Sequence, residues 1–185
     1  MKLKKFNFKI INSTNDLAIK IIKNTQNKAG IVIAEKQKKG RGQYGKKWIS
    51  YKGNLFVSVF FPIDKIGLSL REFTKVNCLL VKKLLSNFYK GKISIKKPND
   101  LLINKKKISG ILQETLSKSG KKYIIVGIGI NLIKNPSIKN YPTTNLFELI
   151  NFRINSNSAS MKIKKIYEKF IPKLYKINIK NMIRV

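Results

Sequence analysis

Four short strand-like runs follow one another through the middle of this chain, at 93–97, 101–104, 107–116 and 122–132, with only tight connections between them. Asn104-Lys105-Lys106 and Ser117-Lys118-Ser119-Gly120 read as hairpin turns. Strands joined this closely must pair antiparallel, because a parallel partner needs a crossover of about a dozen residues or more. The buried-looking run Ala29–Ala34 and the run Asn54–Phe61, ended by Pro62, add two strands, and residues 1–11 alternate loosely enough for an edge strand. Helical spacing appears elsewhere. Ser69-x-x-Glu72 is a capping box that opens a helix bearing Phe73, Val76, Leu80, Leu84 and Phe88. Ser13-Thr14-Asn15-Asp16 fits a second box, ahead of Leu17, Ala18, Ile21 and Ile22 on one side of a helix. Residues 143–151 and 158–175 read as helix, with Pro172 expected to kink or end the last, and 155–159 as the loop between them. The pattern predicts an α+β fold: a mixed, largely antiparallel sheet with helices packed on one face.

At 185 residues, 43% of them apolar, the chain fits one globular domain over 1–185, with no internal repeat or linker. No apolar run is long enough to span a membrane, and the N-terminus lacks a secretory pattern, so a cytoplasmic location is expected. There is no histidine and a single cysteine, Cys78, inside an apolar helical pattern that marks it as core. A Ser-His-Asp triad, a Cys-His pair and an ordinary zinc site are thereby excluded, leaving lysine, backbone donors, carboxylates and magnesium bound with its substrate. The net charge of +32 invites a nucleic-acid reading. Against it, the cations are spread along the whole chain and nearly all are lysine, which describes a solvated surface with weak, nonspecific polyanion binding rather than a specific nucleic-acid partner. Only eight residues are acidic, so Asp16, Glu35, Asp100 and Glu114, which fall inside motifs, stand out.

Gln37 to Trp48 gathers Gly40, Gly42, Gly45, several cations and the only tryptophan directly after the second strand. Glycines let a backbone turn tightly, and successive free N–H groups in such a turn form a concavity for anions. The stretch matches neither common phosphate-loop template. Trp48 reads either as core or as the cover of a ligand. Gly127 and Gly129, two apart in an apolar strand, face the same side, and their missing side chains leave a slot for a flat ring.

Ser13-Thr14-Asn15, Pro98-Asn99-Asp100, Lys107-Ile-Ser-Gly110 and Gly127-Ile-Gly-Ile-Asn131, together with the glycine loop, resemble biotin protein ligase in order and spacing. The resemblance runs from Ser13 to Asn131. It implies activation of biotin by ATP, with Mg2+, to biotinyl-5′-adenylate, followed by attack of a lysine amine on a biotin carboxyl carrier domain of acetyl-CoA carboxylase or a related carboxylase. Carried over by position, it implies that Ser13, Thr14, Asn15, Gln37, Gly40, Arg41, Gly42, Trp48, Lys107, Gly110, Gly127 and Gly129 contact biotin. By the same resemblance Gln43, Lys46, Trp48, Asn99 and Asn131 lie toward the adenylate. Lys107 and Arg41 would meet the carboxylate and α-phosphate charges, and Asp100 would orient or deprotonate the attacking amine. No metal ligand is expected from the protein. Three positions depart from the family: Gln43 and Lys46 stand where arginine is usual, and Lys97 where tryptophan precedes the proline. With no stretch suited to an N-terminal DNA-binding domain or a C-terminal β-barrel, the expected form is a monomer or weak homodimer with an open nucleotide side that leaks adenylate. The rival within the fold class, a lipoate ligase, would resemble a chain with an Arg-Arg-x-x-Gly-Gly-Gly stretch and a His-Asp pair, which this sequence lacks.

Overall fold

The computed structural model describes residues 1–64 and 66–176. Seven strands form one sheet in the order β1-β2-β3-β7-β6-β5-β4: β1 (Lys4–Ile11), β2 (Gly30–Gln37), β3 (Leu55–Pro62), β4 (Ile93–Lys96), β5 (Asp100–Ile103), β6 (Lys106–Lys118) and β7 (Lys121–Ile130). Only β1 and β2 pair parallel, and the helix α1 (Thr14–Asn24) is the crossover that this pairing requires. Every other neighbour pair is antiparallel, so the mixed, largely antiparallel α+β arrangement stands. Asn104 and Lys105 turn with φ of 49° and 63°, and Ser119 and Gly120 with 48° and 68°, the left-handed pair that suits the twist of a two-residue hairpin.

The helices do not all share one face. Ile31, Val57, Val59, Phe61, Val126 and Ile128 point toward α2 (Leu70–Leu85) and α4 (Ser156–Lys176), burying Phe73, Cys78, Leu84, Ile163, Tyr167 and Ile171 among them. Their neighbours in the strands, Val32, Phe60, Tyr123 and Ile125, point the other way and meet Ala18, Ile21 and Ile22 of α1. Alternation along each strand gives both faces an apolar lining, so each needs a cover. The expectation of helices on one face is corrected accordingly.

The Ser69–Glu72 capping box closes in both directions. At α1 only half of the expected box forms: Ser13 Oγ accepts from the Asp16 N–H, while the Asp16 carboxylate is drawn to Arg41. Helix α2 stops at Leu85, and Phe88 follows in a turn. Residues 143–151 hold only the short helix α3 (Leu146–Ile150), because Thr143 pairs with Lys107 and Asn145 caps the helix. Helix α4 starts inside the stretch read as loop, with Asn155 Oδ1 accepting from the Asn157 and Ser158 N–H groups, and it runs through Pro172 rather than ending there. Proline lacks the N–H that would donate to the Glu168 carbonyl, so the helix passes it with one intrahelical bond missing.

Cys78 is fully buried, as expected. Burial, with a smaller contribution from Asp100, pushes its thiol up to about 11. The native thiol therefore stays protonated at neutral pH, and alkylation by iodoacetamide is expected only as the protein unfolds. Rapid labelling of the native protein at pH 7.5 would contradict that burial.

Candidate functional site

The site lies on the α1 face of the sheet, past the C-terminal end of β2. There Gly110 of β6 stands directly opposite Gly129 of β7, and Gly127 lies beside Ser58 of β3. These glycines leave a bare patch of sheet. The Trp48 indole fills part of it, since a Cβ added at Gly129 would lie 2.4 Å from the indole ring and one at Gly110 2.8 Å from it. Asn15 fills the part over Gly127, where a Cβ would meet Asn15 Oδ1 at 2.4 Å. The space that the glycines leave is thus taken up by Trp48 and Asn15 and is not an open slot for a flat ring, which corrects that expectation.

Around this patch opens a cavity of about 900 Å³. Ser13, Thr14, Asn15, Gln37, Arg41, Gly42, Gln43, Lys46, Trp48, Asn99, Asp100, Lys107, Gly110, Gly127 and Gly129 all line it. Two expected contacts do not. Gly40 sits behind Trp48, whose N–H donates to its carbonyl, and has room for nothing larger, a Cβ there falling 2.5 Å from the Trp48 carbonyl oxygen. Asn131 is buried below the cavity, its Nδ2 donating to the Thr144 carbonyl and its backbone accepting from Leu146. It ties the end of β7 to the following segment, a role that the apolar strand pattern could not reveal.

The glycine loop also differs from the open anion concavity expected of it. Arg41 and Lys47 bridge as a minute hairpin, the Gly42 N–H donates to the Lys46 carbonyl at 2.6 Å and the Lys46 N–H to Gln43 at 3.1 Å. The Gly42, Lys46 and Trp48 N–H groups are thereby spent within the loop. Tyr44 and Gly45 take left-handed φ of 55° and 72° at its tip, and Tyr44 is 91% exposed.

At the α1 entrance, Gln37 Oε1 accepts from both the N–H (2.8 Å) and the hydroxyl (3.0 Å) of Thr14. Asn15 Nδ2 donates to Glu114 Oε2 at 2.6 Å and to the Leu112 carbonyl at 3.3 Å, while Ser58 Oγ donates to its Oδ1. Arg41 reaches Glu114 (2.8 and 2.9 Å) and Asp16 (2.7 Å). Partial burial works against the guanidinium charge, but the two carboxylates outweigh it and hold the Arg41 pKa above its ordinary value.

Across the cavity, Lys107 Nζ lies 2.8 Å from Asp100 Oδ1, with both side chains largely buried. The Tyr141 hydroxyl donates to Asp100 Oδ2 at 2.6 Å, and burial followed by that carboxylate raises the phenol's pKa well beyond its usual range. Lys107 Nζ also lies 5.4 Å from the Trp48 ring centroid and 5.5 Å from that of Tyr141, close enough for cation–π attraction. Asn99 Nδ2 donates to the Ile111 carbonyl, fixing the turn that carries Asp100. Glu114 and Tyr141 were absent from the residues expected at the site. Glu114 stood out as one of few acids within a motif, whereas Tyr141 lies in an aperiodic segment that gives no signal.

Among the described residues no cluster of three or more His, Cys, Asp or Glu could hold a metal ion. Asp100 is committed to Lys107 and Tyr141. Among the described residues Trp48 Nε1 and Asn131 Oδ1 are shut off from solvent with no partner, and of the two Trp48 Nε1 belongs to a side chain that lines the cavity. A cavity walled by Trp48, with Arg41, Lys107 and further lysines in its lining and a spare indole donor, suits an acid with a flat polar ring.

The chain belongs to the biotin/lipoate A/B protein ligase family, whose family model matches residues 7–131. It is 35% identical over 130 residues to the bifunctional ligase/repressor BirA of Escherichia coli, spanning 66% of this chain and 39% of that protein. It is also 32% identical over 127 residues to the biotin–[acetyl-CoA-carboxylase] ligase of Paracoccus denitrificans, spanning 67% of this chain and 52% of that protein. The matched part is therefore only about two-fifths to half of the length of these relatives. Among solved structures, the biotin protein ligase of Aquifex aeolicus in complex with biotin and ATP superimposes with a TM-score of 0.79 at 27% identity, covering 94% of this chain and 72% of that one. The Leishmania major enzyme in complex with biotinyl-5-AMP shares the fold, with a TM-score of 0.76 at 23% identity over 92% of this chain and 75% of that one.

Proposed function

We propose that this chain is an ATP-dependent biotin protein ligase, which activates biotin as biotinyl-5′-adenylate and passes the acyl group to a lysine on a carboxylase carrier domain. The observation that carries this reading is that one cavity encloses the three-glycine floor, the Trp48 wall, Arg41 at one end and the Lys107–Asp100 pair at the other. The bicyclic ring of biotin would lie beside Trp48 and Asn15, which cover the glycines, with its ureido edge toward the Thr14, Asn15 and Gln37 amides and hydroxyls. In the first step the biotin carboxylate attacks the α-phosphorus, and negative charge gathers on the phosphoryl oxygens as pyrophosphate leaves. Fixed cations lower that barrier because they need no reorganisation when the charge appears. Lys107 is held for this by Asp100 and by two aromatic faces. In the second step an amine attacks the acyl carbon and AMP leaves. Asp100 would orient that amine and take its proton once one of its two present contacts opens.

Purified protein is expected to exchange labelled pyrophosphate into ATP in the presence of biotin. Exchange with lipoate or octanoate and none with biotin would move the chain to the other branch of its family. No helix of the described residues is long and apolar enough to cross a membrane.

A further inference from the structure

We propose that Glu114 is a positioning residue that fastens the glycine loop to the cavity floor and aims Arg41, resting on the reading above only for what Arg41 then binds. Its two carboxylate oxygens serve the loop and α1 at once. Both accept from Arg41 Nη2 at the start of the loop, and Oε2 also accepts from Asn15 Nδ2, the side chain that fills the space over Gly127. Asp16 at the first turn of α1 completes the clamp from the other side. The three contacts that Arg41 makes with Glu114 and Asp16 all use its Nη2. Among the described residues Arg41 Nη1 and Nε have no hydrogen-bond partner and stay available to an anion. Two carboxylates on one nitrogen thus do not silence Arg41; they fix its orientation and leave its other donors free.

The same contacts decide where Trp48 goes. Arg41 and Trp48 sit on the two limbs of the small loop hairpin, joined across it by the Arg41–Lys47 bridge and the Trp48 N–H to Gly40 carbonyl bond. Nothing apolar anchors the loop tip, where Tyr44 is exposed. Beyond the Lys38 and Lys39 N–H groups, which donate to the Ile11 and Asn12 carbonyls where the loop begins, the clamp at Arg41 and the seating of the indole on Gly110 and Gly129 attach the loop to the sheet. Half-exposed ion pairs contribute little to global stability, so losing the clamp should free the loop without unfolding the domain.

The test uses the only tryptophan, Trp48, as its own reporter. Glu114→Gln keeps the size and an acceptor for Asn15 but removes the charge that holds Arg41. Acrylamide quenching of Trp48 emission, read without any substrate, should rise several-fold in Glu114→Gln while the melting temperature stays close to that of the parent. Arg41→Gln should raise quenching to a similar degree, and the double variant no further, since both substitutions break one contact. In pyrophosphate exchange, Glu114→Gln should raise the KM for biotin by about tenfold, the equivalent of one charge-assisted contact, with a smaller change in kcat. Unchanged quenching in Glu114→Gln, or additive effects in the double variant, would overturn the proposal. If quenching rises as described but no variant or parent exchanges pyrophosphate with biotin, the positioning role stands and the assigned function falls.

Discussion

Lys107→Ala is expected to slow biotin-dependent pyrophosphate exchange by an amount equal to ~2 to 4 kcal/mol of transition-state stabilisation, the range for removing one fixed donor to a developing oxyanion. The structure sharpens why this lysine among so many should matter. It is largely buried, 2.8 Å from Asp100, and faces both Trp48 and Tyr141 across the cavity. Its loss removes the cation and leaves Asp100 with Tyr141 as its remaining side-chain partner, so a negative charge would persist beside the place where phosphate charge must grow. The adjacent lysines are the controls. Lys106→Ala should be close to neutral. Lys105 occupies a left-handed turn position with φ of 63°, so its control is Lys105→Asn, since asparagine adopts that backbone more readily than alanine. Equal losses in all three variants would mean that bulk positive charge, and not the placement of Lys107, sustains the reaction.

The second large effect is expected on the sheet floor, where Gly129→Ala and Gly127→Ala should fail differently. A Cβ at Gly129 collides with the indole of Trp48, which rides on a loop and can leave. That variant should keep most of its stability, lose biotin affinity and show a more solvent-exposed tryptophan emission. A Cβ at Gly127 collides with Asn15, which is 2% exposed and held by Glu114, Leu112 and Ser58, so it has nowhere to go. Overpacking of such a site costs about 1 to 3 kcal/mol, which for a domain of this size is a melting temperature lowered by roughly 2 to 12 °C. If thermal unfolding ranked the two variants the other way, the flexible and rigid walls of the cavity would have been assigned the wrong way round.

Both predictions use features of different legibility in the amino-acid sequence. The hairpins between residues 93 and 130 were readable because apolar runs and turn residues are local signals, and so were the Ser69–Glu72 box, the burial of Cys78 and the bare strand at Gly127 and Gly129. Lys107, Asp100, Thr14 and Gln37 were legible as motif members, and the cavity brings them together. Their hydrogen-bond partners were not. Glu114 and Asp16 are separated by nearly a hundred residues, and they converge on Arg41 only because β6 lies next to β7 and α1 packs across that part of the sheet.

The amino-acid sequence by itself determined the elements, their mostly antiparallel pairing and the residue types available for chemistry, since those follow from periodicity, turn-forming residues and the absence of histidine. Tertiary structure alone decided that α1 covers the opposite face from α2 and α4, because alternation gave both faces of the sheet an apolar lining and left open which helix would cover which. It also decided that the Gly42, Lys46 and Trp48 N–H groups are spent within the glycine loop, that Asn131 is a buried tie rather than a cavity contact, and that Tyr141 closes over Asp100. Each of these turns on which donor finds which acceptor across the sheet, a matter of strand order and register that no local pattern encodes.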